Sequence, residues 1–107
     1  MFSSVRRYRL ISGSIDDLLH LVDSDFAETV QDMDGFVEYQ VLEGGNGELV
    51  TITTFRDRQS AEESAEIASD WIRDTLARKF DLERLEAFVG EIAISRAADA
   101  VLVPARY

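Results

Sequence analysis

Apolar positions recur along this chain at two different periods. Ile15, Leu18, Leu19, Val22, Phe26, Val30 and Met33 fall mostly three or four residues apart, which gathers them into one stripe on a helix. Ser14 stands where an N-cap belongs, Asp16 and Asp17 suit the positive end of the helix dipole, and Asp34-Gly35 ends the run. A second stripe consists of Ala61, Ala65, Ala68, Ile72, Leu76 and Phe80, with Ile67 and Trp71 on its flank. Ser60 and Glu63 open it at the spacing of a capping box.

The other period is two. Phe2 to Ile11, Phe36 to Glu43, Glu48 to Phe55 and Ala87 to Ser95 are rich in β-branched and aromatic residues and read as strands. Leu82 and Leu85 anchor a short link before the last of them. Between the second and third strands, "GGNG" at Gly44 to Gly47 supplies residues that tolerate positive φ, as a tight reversal requires. A phosphate loop would join a strand to a helix N-terminus; this one joins strand to strand, which argues against phosphate binding.

The resulting order, βαββαβ, is the ferredoxin-like arrangement: an α+β fold with a four-stranded antiparallel sheet and two helices on one face. Strand alternation sets Phe36, Glu38, Gln40 and Leu42 against Val37, Tyr39, Val41 and Glu43, and Leu49, Thr51, Thr53 and Phe55 against Val50, Ile52 and Thr54. In the last strand Phe88, Gly90, Ile92 and Ile94 oppose Val89, Glu91 and Ala93. Neither side of the sheet is polar enough to face water, yet two helices cover only one. A homodimer in which two open sheet faces meet is therefore expected.

Length and composition fit one domain over residues 1–107, with a core of about 5–95 and a tail of 96–107. Val101, Leu102 and Val103 of that tail are expected to pack, a partner subunit being one place for them. No segment reads as a signal peptide or a membrane span, so a cytoplasmic protein is expected. The net charge of −10 opposes non-specific nucleic-acid binding. Ten of the eleven basic residues are Arg, only Lys79 being Lys, which fits a G+C-rich genome or a salt-adapted cytoplasm. The absence of cysteine excludes disulfides, thiolate metal sites and cysteine nucleophiles.

The side chains that could carry chemistry are few. His20 shares the polar side of the first helix with Asp16 and Asp23, where solvation accounts for it and too few ligands converge for a metal. The carboxylate pairs Asp16-Asp17, Glu62-Glu63 and Asp23/Asp25 belong to outer helix faces. No Ser/His/Asp set and no calcium loop is present. No metal and no cofactor is expected, and no catalytic residue is assigned. Small residues at Ala61, Ser64, Ala65 and Ala68 either bring helix and sheet close together or leave room for a flat ligand. Arg6, Tyr8 and Leu10 share one face of the first strand and Arg7 and Arg9 the other, so arginines enter a packed layer on at least one side. Buried charge is costly, and Glu38 or Glu91 is expected to answer it in an interface ion-pair network. The alternative is an arginine that holds a phenolate or carboxylate substrate, with Tyr8 or Tyr39 as hydrogen-bonding partner.

Several segments carry a family resemblance: "DGF" at Asp34 to Phe36, "FRDRQSAEES" from Phe55, "AEIASDWIRDTL" in the second helix and the final "GEIAIS". Over roughly Val5 to Ser95 the chain resembles the antibiotic-biosynthesis-monooxygenase-like domains of the dimeric α/β-barrel group. The resemblance implies a ferredoxin-like subunit, a homodimer and a cavity between sheet and helices. It also implies, for some members, oxidation of polycyclic phenols without metal or flavin. A haem-degrading branch uses an Asn on the first strand with a Trp and a haem-ligating His on the second helix. Here the only Asn is Asn46, in a turn, and the only His is His20, on the first helix, so that reading does not transfer. The function expected from this resemblance is a cofactor-independent oxygenase-like enzyme for a small aromatic molecule, its pocket lined by Arg6, Tyr8, Phe36, Tyr39, Phe55 and Trp71. The rival readings are a non-catalytic ligand-binding or stress-associated homodimer, and a purely structural interaction domain.

Overall fold

The computed structural model describes residues 1–98. Strands β1 (Phe2–Ser12), β2 (Phe36–Gly45), β3 (Glu48–Phe55) and β4 (Asp81–Glu91) form one sheet in the order β2-β3-β1-β4, every neighbouring pair antiparallel. Helix α1 follows β1 and helix α2 follows β3, so the βαββαβ order holds, and with it the ferredoxin-like α+β fold. The apolar tail residues Val101, Leu102 and Val103 lie outside the described residues.

Each helix contains one widened turn. α1 runs Ile15–Leu21, passes through a π-helical segment Val22–Phe26, and ends as Ala27–Gln31. α2 runs Arg58–Trp71 and finishes in a π-helical segment Ile72–Leu76. In both, a backbone N–H reaches back five residues, Ala27 to Val22 and Ala77 to Ile72. Such turns concentrate at functional sites because the extra residue re-aims the side chains around it. Ser14 caps α1 as expected, its Oγ accepting from the Asp17 N–H at 3.3 Å. At α2 the cap is Asp57, whose carboxylate accepts from the Ser60 N–H at 2.9 Å, and not the capping box expected of Ser60 and Glu63. Ser60 sits too far into the first turn for that role: the helix begins at Arg58.

Three corrections concern the sheet. β4, expected over Ala87 to Ser95, instead occupies Asp81–Glu91. Leu82 pairs with Leu10, and a bulge between Arg7 and Tyr8 leaves Leu85 between Arg84 and Glu86, which breaks the alternation that would have marked the strand. At the other end β1 begins at Phe2, so pairing stops after the Ile92 N–H donates to Met1 O at 2.8 Å. A second bulge, between Phe36 and Glu38 on β2, puts Phe36 on the same side as Tyr39. Strict alternation opposes them.

The third correction concerns the arginines. Ser4, Arg6 and Tyr8 of β1 and Leu49, Thr51, Thr53 and Phe55 of β3 are buried beneath the helices. Arg7 and Arg9 lie on the open side, where Glu48 accepts from both at 3.4 Å and Glu86 lies 3.8 Å from Arg7. Glu38 and Glu91 take no part in these pairs: register places Glu48 opposite Arg9 and Glu86 opposite Arg7. These pairs are partly exposed and worth little individually. The open side also carries apolar side chains, Val5, Val50 and Ile52 half-buried and Ile11, Leu42 and Phe88 exposed, beside the polar Ser3, Gln40 and Thr54.

Candidate functional site

Between the sheet and the two helices the side chains leave a gap. β1 supplies Arg6 and Tyr8, β2 Tyr39 and Val41, β3 Leu49 and Thr51, and β4 Leu82. The π-helical turns of both helices face it, through Val22 and Phe26 on one side and Ile72 and Leu76 on the other. Trp71 stands at the junction of regular and π helix. Phe26 packs against Trp71 with ring centroids 5.2 Å apart and against Tyr39 edge-on at 5.7 Å, so three aromatic rings form one wall. The Trp71 indole N–H donates to Asp25 Oδ2 at 3.0 Å and ties α2 to α1 at the rim.

Arg6 is the singular group here. It is 2% exposed, and its guanidinium carbon lies 5.8 Å from the centre of the Phe26 ring. Its hydrogen bonds run from Nε to Thr51 Oγ1 at 3.3 Å and from Nη1 to the Ser64 carbonyl at 3.2 Å. Among the described residues no carboxylate forms an ion pair with it, so the expected answering charge is absent. Burying a guanidinium costs on the order of several kcal/mol after relaxation, and two long hydrogen bonds to neutral oxygens offset only part of that. Nearby, Ser4 Oγ and Thr53 Oγ1 are buried without a partner among the described residues.

The two tyrosines are acids kept neutral. Burial pushes the Tyr39 hydroxyl well above the usual phenol range, Arg6 pulling the other way and Tyr8 adding to the rise. Burial likewise raises Tyr8, against the opposing charges of Arg6 and Arg84. Both are hydrogen-bond donors at neutral pH and neither is a base. Arg6, Tyr8 and Tyr39 thus line a gap whose exposed surface is almost wholly apolar, made of three aromatic rings and aliphatic side chains.

Of the six residues named from the sequence, Arg6, Tyr8, Tyr39 and Trp71 line this gap. Phe36 and Phe55 do not: they meet each other edge-on at 6.0 Å farther along the sheet. Phe26 is readable from the sequence only as one member of the α1 stripe, because the π turn that directs it inward leaves no mark in the spacing. The gap leaves about 40 Å³, room for about one water molecule. Beside it, between α1 and β2, lies a cleft of about 650 Å³ that shares Leu19, Val22, Tyr39 and Val41 as walls. His20, Asp23 and Glu43 rim that cleft.

Neither a protein-family model nor a curated protein matches the chain by sequence. Solved structures do match by shape. A dimeric ferredoxin-like protein from an uncultured marine organism superposes with a TM-score of 0.69 at 12% identity, covering 91% of this chain and 98% of its own. A variant of SnoaB, a cofactor-independent oxygenase from Streptomyces nogalater, gives 0.66 at 15% identity over 88% and 94% of the two chains. The ActVA-Orf6 monooxygenase of Streptomyces coelicolor, in complex with nanaomycin D, gives 0.58 at 15% identity over 97% and 92%. The fold is that of the antibiotic-biosynthesis-monooxygenase-like domains. Here Asn46 occupies the β2–β3 turn with φ 54° and His20 lies on an exposed part of α1, so among the described residues the Asn and His of the haem-degrading arrangement have no counterpart at the pocket. Among the described residues no group of three or more His, Asp and Glu is placed to hold a metal ion, and no helix is long and apolar enough to cross a membrane.

Proposed function

We propose that this chain is a monooxygenase-like small-molecule-binding domain that takes a small flat aromatic compound between its sheet and its helices and acts as a homodimer through the open sheet face. The observation that carries the reading is the convergence of Arg6, Tyr8, Tyr39 and Trp71 with Phe26 on one gap, beneath π turns in both helices. A packing core has no use for a buried guanidinium, whereas a site for an aromatic compound bearing oxygens uses the rings to hold its faces and the polar groups to fix its orientation. The homodimer is supported by the apolar side chains on the open side of the sheet and by likeness to a dimeric ferredoxin-like protein.

In the enzymatic form of this reading the reaction is a cofactor-independent oxidation of a phenolic compound, as the likeness to SnoaB supports. A specific observation favours the non-catalytic form. Tyr8 and Tyr39 are held protonated and Arg6 is always charged, so the pocket contains no proton acceptor of its own. Binding without turnover is therefore the second reading. Oxygen uptake with a panel of hydroquinones separates the two, and Trp71, the sole tryptophan, reports binding in the same samples through its fluorescence. Saturable quenching with oxygen uptake establishes the enzyme, and quenching alone establishes the binder. No quenching by any aromatic compound removes both and leaves an interaction domain.

A further inference from the structure

Arg6 brings five N–H donors and a full positive charge into a layer that, among the described residues, returns two long hydrogen bonds and no carboxylate. Charge-assisted bonds to a carboxylate oxygen run about 2.7–2.9 Å, so contacts of 3.3 and 3.2 Å to a hydroxyl and a carbonyl leave the guanidinium short of an acceptor. Tyr8 and Tyr39, on the same wall, each add one O–H donor and an oxygen that accepts, but Arg6 bonds to neither oxygen. Acceptors in the gap are thus outnumbered by donors, and the missing partner is negative.

Resting on the reading of this gap as an aromatic site, we propose that its ligand is bound as an anion: a flat apolar body carrying one ionised oxygen group, carboxylate or phenolate, paired with Arg6. Two features set how such a ligand is selected. The neighbouring cleft is rimmed by Asp23 and Glu43 and the chain carries a net charge of −10, so nothing at the mouth concentrates anions. Recognition of the charge therefore rests on Arg6, inside a low-dielectric pocket where a hydrogen-bonded ion pair is strong. A neutral isostere fills the same space and leaves the guanidinium unanswered.

Benzoate and benzamide share shape and differ in charge, which makes them the probes, with para-nitrophenol as a phenol whose ionisation is visible by absorbance. Binding is read from Trp71 fluorescence and by calorimetry, on the wild type and on Arg6→Gln. Benzoate should bind the wild type about tenfold or more tightly than benzamide, and Arg6→Gln should bring that ratio close to unity. A phenolate-type site additionally shifts bound para-nitrophenol to its ionised form; a carboxylate-type site binds benzoate and leaves para-nitrophenol in solution. Equal affinities of benzoate and benzamide for the wild type overturn the proposal while leaving the aromatic pocket intact. Failure of all three probes to bind overturns the pocket reading and this proposal together. Should Arg6→Gln not fold, the wild-type ratio decides alone.

Discussion

Trp71 and Asp25, 46 positions apart, are joined by an indole N–H donating to a carboxylate at 3.0 Å. The bond links the end of the regular part of α2 to the π turn of α1, the two places where the helices widen over the pocket. Trp71→Phe removes the donor together with part of the ring that packs on Phe26, whereas Asp25→Ala removes the bond without touching that ring. We expect Asp25→Ala to lose about 0.5–1.5 kcal/mol, the usual net worth of such a bond. Urea unfolding followed by circular dichroism measures it, since Trp71→Phe removes the only tryptophan. Unchanged stability in both Trp71→Phe and Asp25→Ala would mean that the two helices hold their places without this link.

Arg6→Met exchanges a buried guanidinium for an apolar chain of similar length. The desolvation penalty is relieved, while Thr51 Oγ1 and the Ser64 carbonyl each lose a weak donor. The ligand-free variant should be either more stable than the wild type or within about 1 kcal/mol of it, as found when buried charges are replaced by well-packed apolar groups. Thermal unfolding of the ligand-free protein checks it. A drop of several kcal/mol instead would identify Arg6 as a structural post.

The path from sequence to fold is short because each element carries its own period. The stripe from Ile15 to Met33 predicts α1, and Asn46-Gly47, both at positive φ, close the β2–β3 hairpin as their residue types demand. What periodicity does not carry is irregularity. The bulge after Phe36 and the one at Leu85 each add a residue and invert the alternation beyond it, which misplaces Phe36 and hides the first half of β4. The site depends on the same kind of irregularity. Four of six candidates are legible because alternation on β1 and β2 and the flank of α2 point them inward. Phe26 lies on the stripe that marks the inner face of α1, but its spacing does not set it apart from its neighbours there. The identity of the residues opposite Arg7 and Arg9 depends on register, which strand composition does not fix.

The hairpin turn offers a paired test of backbone strain against crowding. Gly45 and Gly47 have φ of +84° and +76°, but a Cβ at Gly45 meets nothing within 4 Å, whereas one at Gly47 lies 2.8 Å from the Leu10 carbonyl oxygen. That oxygen belongs to backbone already bonded to the turn, since the Leu10 N–H donates to Gly47 O at 2.8 Å. Gly45→Ala should cost about 1 kcal/mol, the strain of a left-handed residue, and Gly47→Ala clearly more. Denaturant midpoints of the two variants rank them, and equal midpoints would contradict the close approach.

Stability at acid pH should depend on Asp57. Its carboxylate accepts from the Ser60 N–H, and that backbone bond together with the Ser60 hydroxyl holds its pKa below the ordinary 3.8. A depressed pKa in the folded state contributes stability that is fully present above the unfolded value and is lost as pH falls through the folded one. Asp57→Ala should therefore melt at a lower temperature than the wild type at pH 7, with the gap narrowing below pH 3.8. Asp57→Asn, which can still cap, should sit between them at pH 7. Melting curves of the three proteins across that range decide it, and a gap that stays constant down to the lowest pH would detach the cap from its charge.

Phe88 projects from β4 on the open side of the sheet, opposite Val5 in register, and is 54% exposed. Leu42 is exposed on the same side at 50%, with Val50, Ile52 and Val5 half-covered between it and Phe88, while Ile11 lies apart at the end of β1 beyond Arg9. A contiguous apolar surface of this kind is unfavourable in water, and an isologous pairing of two sheets removes it from both copies at once. Phe88→Glu sets a second carboxylate beside Glu86 at the β4 edge of that surface, where pairing would bury it while Arg7 is already shared by Glu48 and Glu86. The wild type should therefore sediment as a dimer at micromolar concentration and Phe88→Glu as a monomer that retains its circular dichroism spectrum. Glu83→Gln, on the same strand opposite Arg9 and away from the apolar patch, should remain dimeric and serve as the control. A wild type that sediments as a single chain would show that the open sheet face tolerates solvent and that the pocket functions within one subunit.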